Sequence, residues 1–387
     1  MINKVEGKLC VFGCYSDNHL YPRNRTLISA VSLVFSETIE IRPQHRKSNQ
    51  INHKTPATIL GALATLKATI SNLTSLFSQR AALAGASLYY VPYPAYLDLL
   101  FLRIITPRKD RPKVAIDAFL CLQDTIVSDR KLVRSNGVMA RLLNWLEGET
   151  LKYADLIFID TEQQKQLLVD SYRLNKDKVI VTPVGIDETI WTPLPELPIE
   201  DDFHILFWGT FIPLHGVDII FGAANLLANK QPQIKFTLIG DGQTAEYHAK
   251  KFLSRPTSNV VWLRELVSPE KLRSYVERSH CILGIFGESK KAGNVVPYKM
   301  YQALASNKIL ITLKGPATAA ICPQGTTAPG LIFVPPGSPS ALANEILRVS
   351  KDYKNISRLQ SNREIYESNL CNRLLQMCVA DSIHLVR

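Results

Sequence analysis

CILGIFGESKKAGNVVPYKMYQALASNKILITL, residues 281–313, holds a strand, a loop, a helix and a second strand in immediate succession. Cys281 to Phe286 is an apolar run of strand length, and the polar, glycine-containing segment from Gly287 to Asn294 reads as a loop. Pro297 opens the helix, where proline fits because the first helical N–H has no intrahelical acceptor. Tyr298, Tyr301, Leu304 and Ala305 recur at helical spacing, and Lys308 to Thr312 reads as the next strand. This order aims free N–H groups and the positive end of the helix dipole at whatever the loop holds, so it predicts an anion site. Lys290, Lys291 and Lys299 crowd the same place. A first-turn lysine such as Lys299 opposes the dipole, and an anion at that terminus would account for it.

Composition sets the frame around this unit. A chain of 387 residues exceeds one compact core, so two domains are expected, and 46% apolar residues suffice to fill both. The net charge of +11 points to an anionic partner. Its basic residues are dispersed and no nucleic-acid module is recognisable, so no nucleic acid is expected. The seven cysteines include no CxxC pair, which excludes a zinc pattern or disulfide framework and suits a reducing cytoplasm. The start MINKVEGKLC lacks an apolar signal core, and no stretch reaches the roughly eighteen apolar residues of a spanning helix. A cytoplasmic protein is expected.

Strand and helix signals alternate along the whole chain. Lys8 to Phe12 reads as a first strand, followed by Gly13 and a loop carrying Tyr21, Pro22, Arg23 and Asn24; no GxGxxG is present. A helix is expected from Thr26 to Phe35. Residues 42–54 bring Arg42, His45, Arg46, Lys47, His53 and Lys54 without an acid. Ile59, Leu63, Leu66, Ile70, Leu73 and Phe77 then form an apolar helical stripe. Such a stripe with a basic approach either covers a sheet or rests on an anionic membrane surface. Strands are expected at 87–91, 113–117, 154–160 and 178–181, and Thr161 with Gln164 forms a capping box. The proline- and acid-rich stretch WTPLPELPIEDD, residues 191–202, reads as a linker. Beyond it come strands at 203–208, 235–239, 260–263 and 331–334, with the loops Gly209 to Gly216 and Gly240-Asp-Gly242 between. Each half therefore reads as a doubly wound parallel sheet. The expected division is 1–190, a linker 191–202, 203–363, and a C-terminal helix within 364–387 supported by Leu370, Leu374, Met377 and Cys378.

The frame Val-Pro-Tyr-Lys-Met-Tyr-Gln-Ala-Leu-Ala, followed by Lys-Ile-Leu-Ile, resembles the nucleotide-sugar site of the retaining, family 4-like "group 1" glycosyltransferases of GT-B architecture. Gly209 to Gly216, Gly240-Asp-Gly242 and 284–312 follow the family in order and spacing. The resemblance implies two Rossmann-like domains facing a cleft, the first for the acceptor and the second for the donor, with the last helix crossing back onto the first. Two glutamates of the family motif fall on Asn294 and Gln302, and the Arg and Lys of its first loop fall on Thr210 and His215. The implied donor residues are Gly209, Thr210, Asn294, Val295 and Gln302, with Lys299, His215 and Asp117 at the reaction. Gly13 and Arg23 lie on the acceptor side. Gln302 is placed to bond ribose hydroxyls, and His215 can serve when protonated beside phosphate.

The implied activity is transfer of a sugar from a nucleotide diphosphate sugar to a glycan, lipid-linked or small-molecule acceptor, as a step of polysaccharide synthesis. Prepositioned N–H groups and cations lower the barrier as charge builds on the leaving diphosphate. A retaining enzyme of this kind does without the glycosidase pair of carboxylates. No metal cluster shows at ligand spacing and no cofactor is expected. Two other readings share the fold: a non-catalytic GT-B domain that binds an anionic partner, and a sugar-nucleotide epimerase.

Overall fold

The computed structural model describes residues 4–18, 22–43, 59–106, 111–119, 121–254, 257–322, 328–359 and 362–386. Two compact units emerge. One comprises Met1–Val127, Val133–Thr182 and Arg373–Arg387; the other comprises Ser128–Leu132 and Pro183–Asn372.

The first unit is built on six strands: β1 (Val5–Phe12), β2 (Phe35–Ile41), β3 (Ala86–Val91), β4 (Lys113–Asp117), β5 (Leu156–Ile159) and β6 (Val179–Val181). They lie in the order β2-β1-β3-β4-β5-β6, all parallel. The central strands are buried on both faces, as the continuous apolar runs require. The edge strand β2 departs from expectation. Its sequence FSETIEI exposes Ser36, Glu37, Thr38 and Glu40 without an apolar alternation, so it reads weakly, and the preceding helix ends at Ser32 instead of Phe35. One layer of core, with Cys10, Phe12, Val91, Leu99, Leu151 and Leu168, fills one face. The other face holds Leu9, Val11, Leu27, Val31 and Phe158, closed by Leu375, Val379, Ala380 and Ile383 of the last helix, Asn372–Val386. The helix face that packs is thus 375/379/383; Leu374 and Cys378 are half-buried, and Met377 is 47% exposed.

The second unit carries β7 (Phe203–Trp208), β8 (Ile234–Ile239), β9 (Val260–Leu263), β10 (Cys281–Leu283), β11 (Ile309–Leu313) and β12 (Leu331–Val334). Their order is β12-β11-β10-β7-β8-β9, again all parallel. The chain moves outward from β7 to β9, then returns to the other side of β7 with β10. That reversal creates a crevice beyond the carboxyl ends of β7 and β10, where open α/β sheets bind ligands. Ile205, Phe207, Phe236, Leu283, Ile311 and Ile220 form its core. Residues 191–202 are tied down here: Leu194 N–H donates to the Ser306 carbonyl at 3.1 Å, and the Arg273 guanidinium donates to the Thr192 carbonyl at 3.0 Å.

The N-cap halves of the capping signals are formed, while the Gln164 side chain accepts from the Cys121 thiol and donates to Asp124 instead of closing the box. The Thr161 and Ser268 hydroxyls accept from Gln164 and Lys271 N–H, each at 3.2 Å. Among the described residues no helix is long and apolar enough to cross a membrane. Tyr21 and the basic residues 44–54 lie outside the described residues, as do the side chains of 59–66. In the rest of the helix Ile59–Ser78, Ile70 is 54% and Phe77 46% exposed, while Leu76 is fully buried.

Candidate active site

The loop after β7 turns through Gly209, a short helical turn at Pro213–His215 and Gly216. Gly216 adopts φ +60° where the chain presses against the loop after β10; a Cβ there would stand 2.5 Å from the Phe286 carbonyl carbon. Two hydrogen bonds join these loops: Phe286 N–H to the His215 carbonyl and Gly287 N–H to the Leu214 carbonyl, both 3.1 Å. The loop after β8 joins from the other side, with Phe211 N–H donating to the Asp241 carbonyl at 3.0 Å. Three sequence stretches separated by tens of residues thus meet at the switch point of the second sheet.

Lys299 and His215 converge on Gly209. A Cβ on Gly209 would lie 2.8 Å from His215 Cε1 and 3.1 Å from Lys299 Nζ, so any larger residue would crowd both. Lys299 sits in the first turn of the helix Tyr298–Ala305, with Pro297 as its N-cap. It is 5% exposed. Its ammonium donates to the Gly284 carbonyl at 3.3 Å and lies 3.7 Å from the centre of the Phe207 ring. No carboxylate pairs with it among the described residues. Burial alone drives its pKa well below the ordinary lysine value. An anion in this crevice would reverse that shift by favouring the charged form.

The imidazole of His215 is buried, with Nδ1 against the Thr210 carbonyl oxygen. A carbonyl only accepts, so Nδ1 carries the proton. Burial, then the charges of Lys299 and Arg130, hold its pKa well below 6.5, outweighing the bond to Thr210. Without an anion beside it, burial favours the neutral ring, which closes the 209–216 loop on itself through the Thr210 carbonyl.

Gln302 is 4% exposed, and its Oε1 accepts from the Trp208 indole N–H at 3.2 Å. That contact ties the 298–305 helix to the end of β7. Asn294 ends the short turn Lys290–Asn294, with Val295 next, both half-buried. Lys290 is exposed, whereas Lys291 is 4% exposed. Thr210 is half-buried and contributes its carbonyl to His215.

The remaining expected residues belong to the first unit. Asp117 ends β4 and is fully buried. The Arg23 Nε–H donates to both of its carboxylate oxygens, at 2.9 and 3.1 Å. Arg23 also reaches Thr182, through its carbonyl at 3.3 Å and its hydroxyl at 3.1 Å. Burial pushes the Asp117 carboxyl upward and Arg23 opposes that push. Gly13 follows β1, and the neighbouring Cys14 N–H donates to Asp98 at 2.8 Å. Gly13, Arg23 and Asp117 therefore gather at the carboxyl ends of β1 and β4 in the first unit.

Among the described residues no group of three or more His, Cys, Asp or Glu side chains is placed to hold a metal ion. One residue near the site escaped sequence reading. Arg130 lies in the segment 128–132, far from the donor loops along the chain, and its only signal was membership of a basic run.

The two parallel sheets, each with its reversal of strand order, are those of the GT-B glycosyltransferases. A sucrose-phosphate synthase from Thermosynechococcus elongatus superposes with a TM-score of 0.71 at 14% identity, covering 98% of this chain and 99% of that one. HepE of Anabaena, solved in complex with UDP-glucose, gives 0.65 at 12% identity over 98% of this chain and 100% of that one. Residues 202–352, within the second unit, match the family described as "Glycosyl transferases group 1". A D-inositol 3-phosphate glycosyltransferase of Stackebrandtia nassauensis is 32% identical over 95 residues, 23% of this chain. That match spans 21% of the curated relative's length.

Proposed function

We propose that the chain moves a sugar from a nucleotide diphosphate sugar to a glycan, lipid-linked or small-molecule acceptor, with retention at the anomeric carbon. The observation that carries this reading is Lys299: a buried ammonium with no carboxylate partner among the described residues, set beside Gly209 and His215 at the switch point of the second sheet. As the bond between the anomeric carbon and the leaving oxygen lengthens, negative charge gathers on the diphosphate, and a preplaced ammonium stabilises it. The leaving phosphate oxygen takes the acceptor proton on the same face, so no carboxylate need act as base. In this reading Gly209, Thr210, Asn294, Val295 and Gln302 shape the donor site. Arg23 and Asp117, bound to each other, hold the loop ends of the first unit on the acceptor side as positioning residues.

The test is release of nucleoside diphosphate from a panel of nucleotide sugars. UDP-glucose comes first, because HepE was solved with it. Release that accelerates with a sugar or lipid-linked acceptor is expected, and chelation with EDTA should leave it unchanged. Tight binding without turnover would replace this reading by a non-catalytic binder; a new nucleotide sugar without any acceptor would replace it by an epimerase. Exposed Ile70 and Phe77, with the basic approach of 42–54 in the sequence, support peripheral association with the cytoplasmic face of an anionic membrane. Flotation should show salt-sensitive binding to anionic vesicles and none to neutral ones; equal behaviour would make the helix ordinary cover for the sheet.

A further inference from the structure

We propose that Arg130 is a diphosphate-binding residue of the donor site, carried into the second unit by the segment Ser128–Leu132. This rests on the reading of the second unit as a nucleoside diphosphate site. Although flanked on both sides by residues of the first unit, 128–132 belongs to the second. The segment is pinned at two points, one through the Asp129 side chain and one through the Arg130 backbone carbonyl. The Ser289 hydroxyl donates to Asp129 Oδ1 at 2.8 Å, and the same hydroxyl accepts from Ala292 N–H at 3.2 Å in the loop after β10. The Gln243 side-chain amide donates to the Arg130 carbonyl at 2.9 Å, directly after Gly240-Asp-Gly242 in the loop after β8. These are the two loops that flank Gly209–Gly216, so Arg130 stands at the mouth of the same crevice.

Its side chain is unspent. Arg130 Nε is enclosed with no hydrogen-bond partner, and the guanidinium makes no ion pair among the described residues. The adjacent Asp129 carboxylate is engaged by Ser289. An N–H taken from water without an acceptor is unfavourable, and a phosphate oxygen is the acceptor a guanidinium fits best. The charge of Arg130 is felt at the His215 ring, beside Lys299. A diphosphate carries more negative charge than one ammonium balances, and Arg130 supplies a second cation where positions 210 and 215 offer a hydroxyl and a neutral ring. Nε and the terminal nitrogens present donors in one plane, suited to bridging two phosphate oxygens.

The experiment is titration calorimetry on the intact chain with UDP, GDP, ADP and CDP, followed by the nucleoside of whichever binds best. Arg130→Ala is expected to weaken that nucleoside diphosphate about ten- to a hundredfold, the range for a lost charge-assisted hydrogen bond. Affinity for the nucleoside and the melting temperature without ligand should not change. Arg130→Lys should recover part of the loss, and Arg134→Ala, an exposed neighbour in the same basic run, none is expected to lose. Equal affinity of Arg130→Ala and the parent for the diphosphate would overturn the proposal and leave the donor-site reading standing. Equal loss for nucleoside and diphosphate would also overturn it, by showing a structural role. A parent chain that binds none of the four would overturn both.

Discussion

Replacing Lys299 by methionine separates what this ammonium does to the fold from what it does to the reaction. Methionine keeps an unbranched apolar stem and removes the charge that stands over the Phe207 ring. The ammonium has one carbonyl acceptor at 3.3 Å and no carboxylate among the described residues, so its burial is poorly compensated. Replacing even paired buried charges with packed apolar side chains is often neutral or stabilising by about 1–4 kcal/mol, and a charge without a carboxylate partner has less to lose. Lys299→Met should therefore melt higher at neutral pH. The gain should shrink in alkaline solution, and the sign follows from the depressed pKa. Below the folded pKa the lysine is protonated in both states and the folded state bears the full penalty. As pH rises toward the unfolded value, about 10.4, the folded lysine sheds its proton first and the penalty falls. Turnover should move the opposite way: loss of a preplaced cation at the leaving group costs on the order of 3 kcal/mol, or a hundredfold in kcat. The assays are calorimetric melting from neutral to alkaline pH and steady-state turnover with the identified donor. A methionine variant that melts lower and turns over normally would refute the reasoning and make Lys299 a structural residue.

His215 should show no titration in the activity profile between pH 6 and 8, because burial and the Lys299 charge keep it neutral throughout; a limb near pH 6.5 that disappears in His215→Gln would contradict this. Asp117→Asn leaves the buried Arg23 guanidinium without its counter-charge and should cost about 3–5 kcal/mol in chemical denaturation. A loss below about 1 kcal/mol would mean that water reaches the pair. Lys308, whose ammonium donates to the Glu277 and Ser279 carbonyls at 3.2 and 3.0 Å, is held by burial at a pKa of about 8. Its folded pKa lies below the unfolded one, so the folded state gains about 3 kcal/mol of stability between pH 8 and about 10.4. Lys308→Met should lack that rise, and identical pH dependence in both proteins would count against it.

The strands around the donor crevice were legible because each is a short apolar run closed by glycine, proline or a capping hydroxyl. Residues 281–313 even showed the order of loop and helix that makes the crevice. Other features could not be read locally. In NRLLQMCVADSIHLV apolar residues occupy two adjacent helical faces, and only packing against Leu9 and Val11 selects Leu375, Val379 and Ile383. The neutrality of His215 depends on burial and on a lysine that follows it by more than eighty residues. Arg23 and Asp117 were singled out separately, yet the ion pair that binds them spans ninety-four positions. Arg130 gave no signal beyond its place in a basic run, since its position is set by Gln243 and Ser289, each more than a hundred residues away. Sequence patterns report neighbours along the chain, while charge compensation is decided by neighbours in space.

The most direct measurement is a crystal structure of the chain with the nucleoside diphosphate that binds it best. The account predicts the diphosphate at the carboxyl ends of β7 and β10, with an oxygen about 3 Å from Lys299 Nζ and others facing the 209–216 and 284–294 loops. A diphosphate bound elsewhere, with Lys299 still directed only at the Gly284 carbonyl, would contradict it.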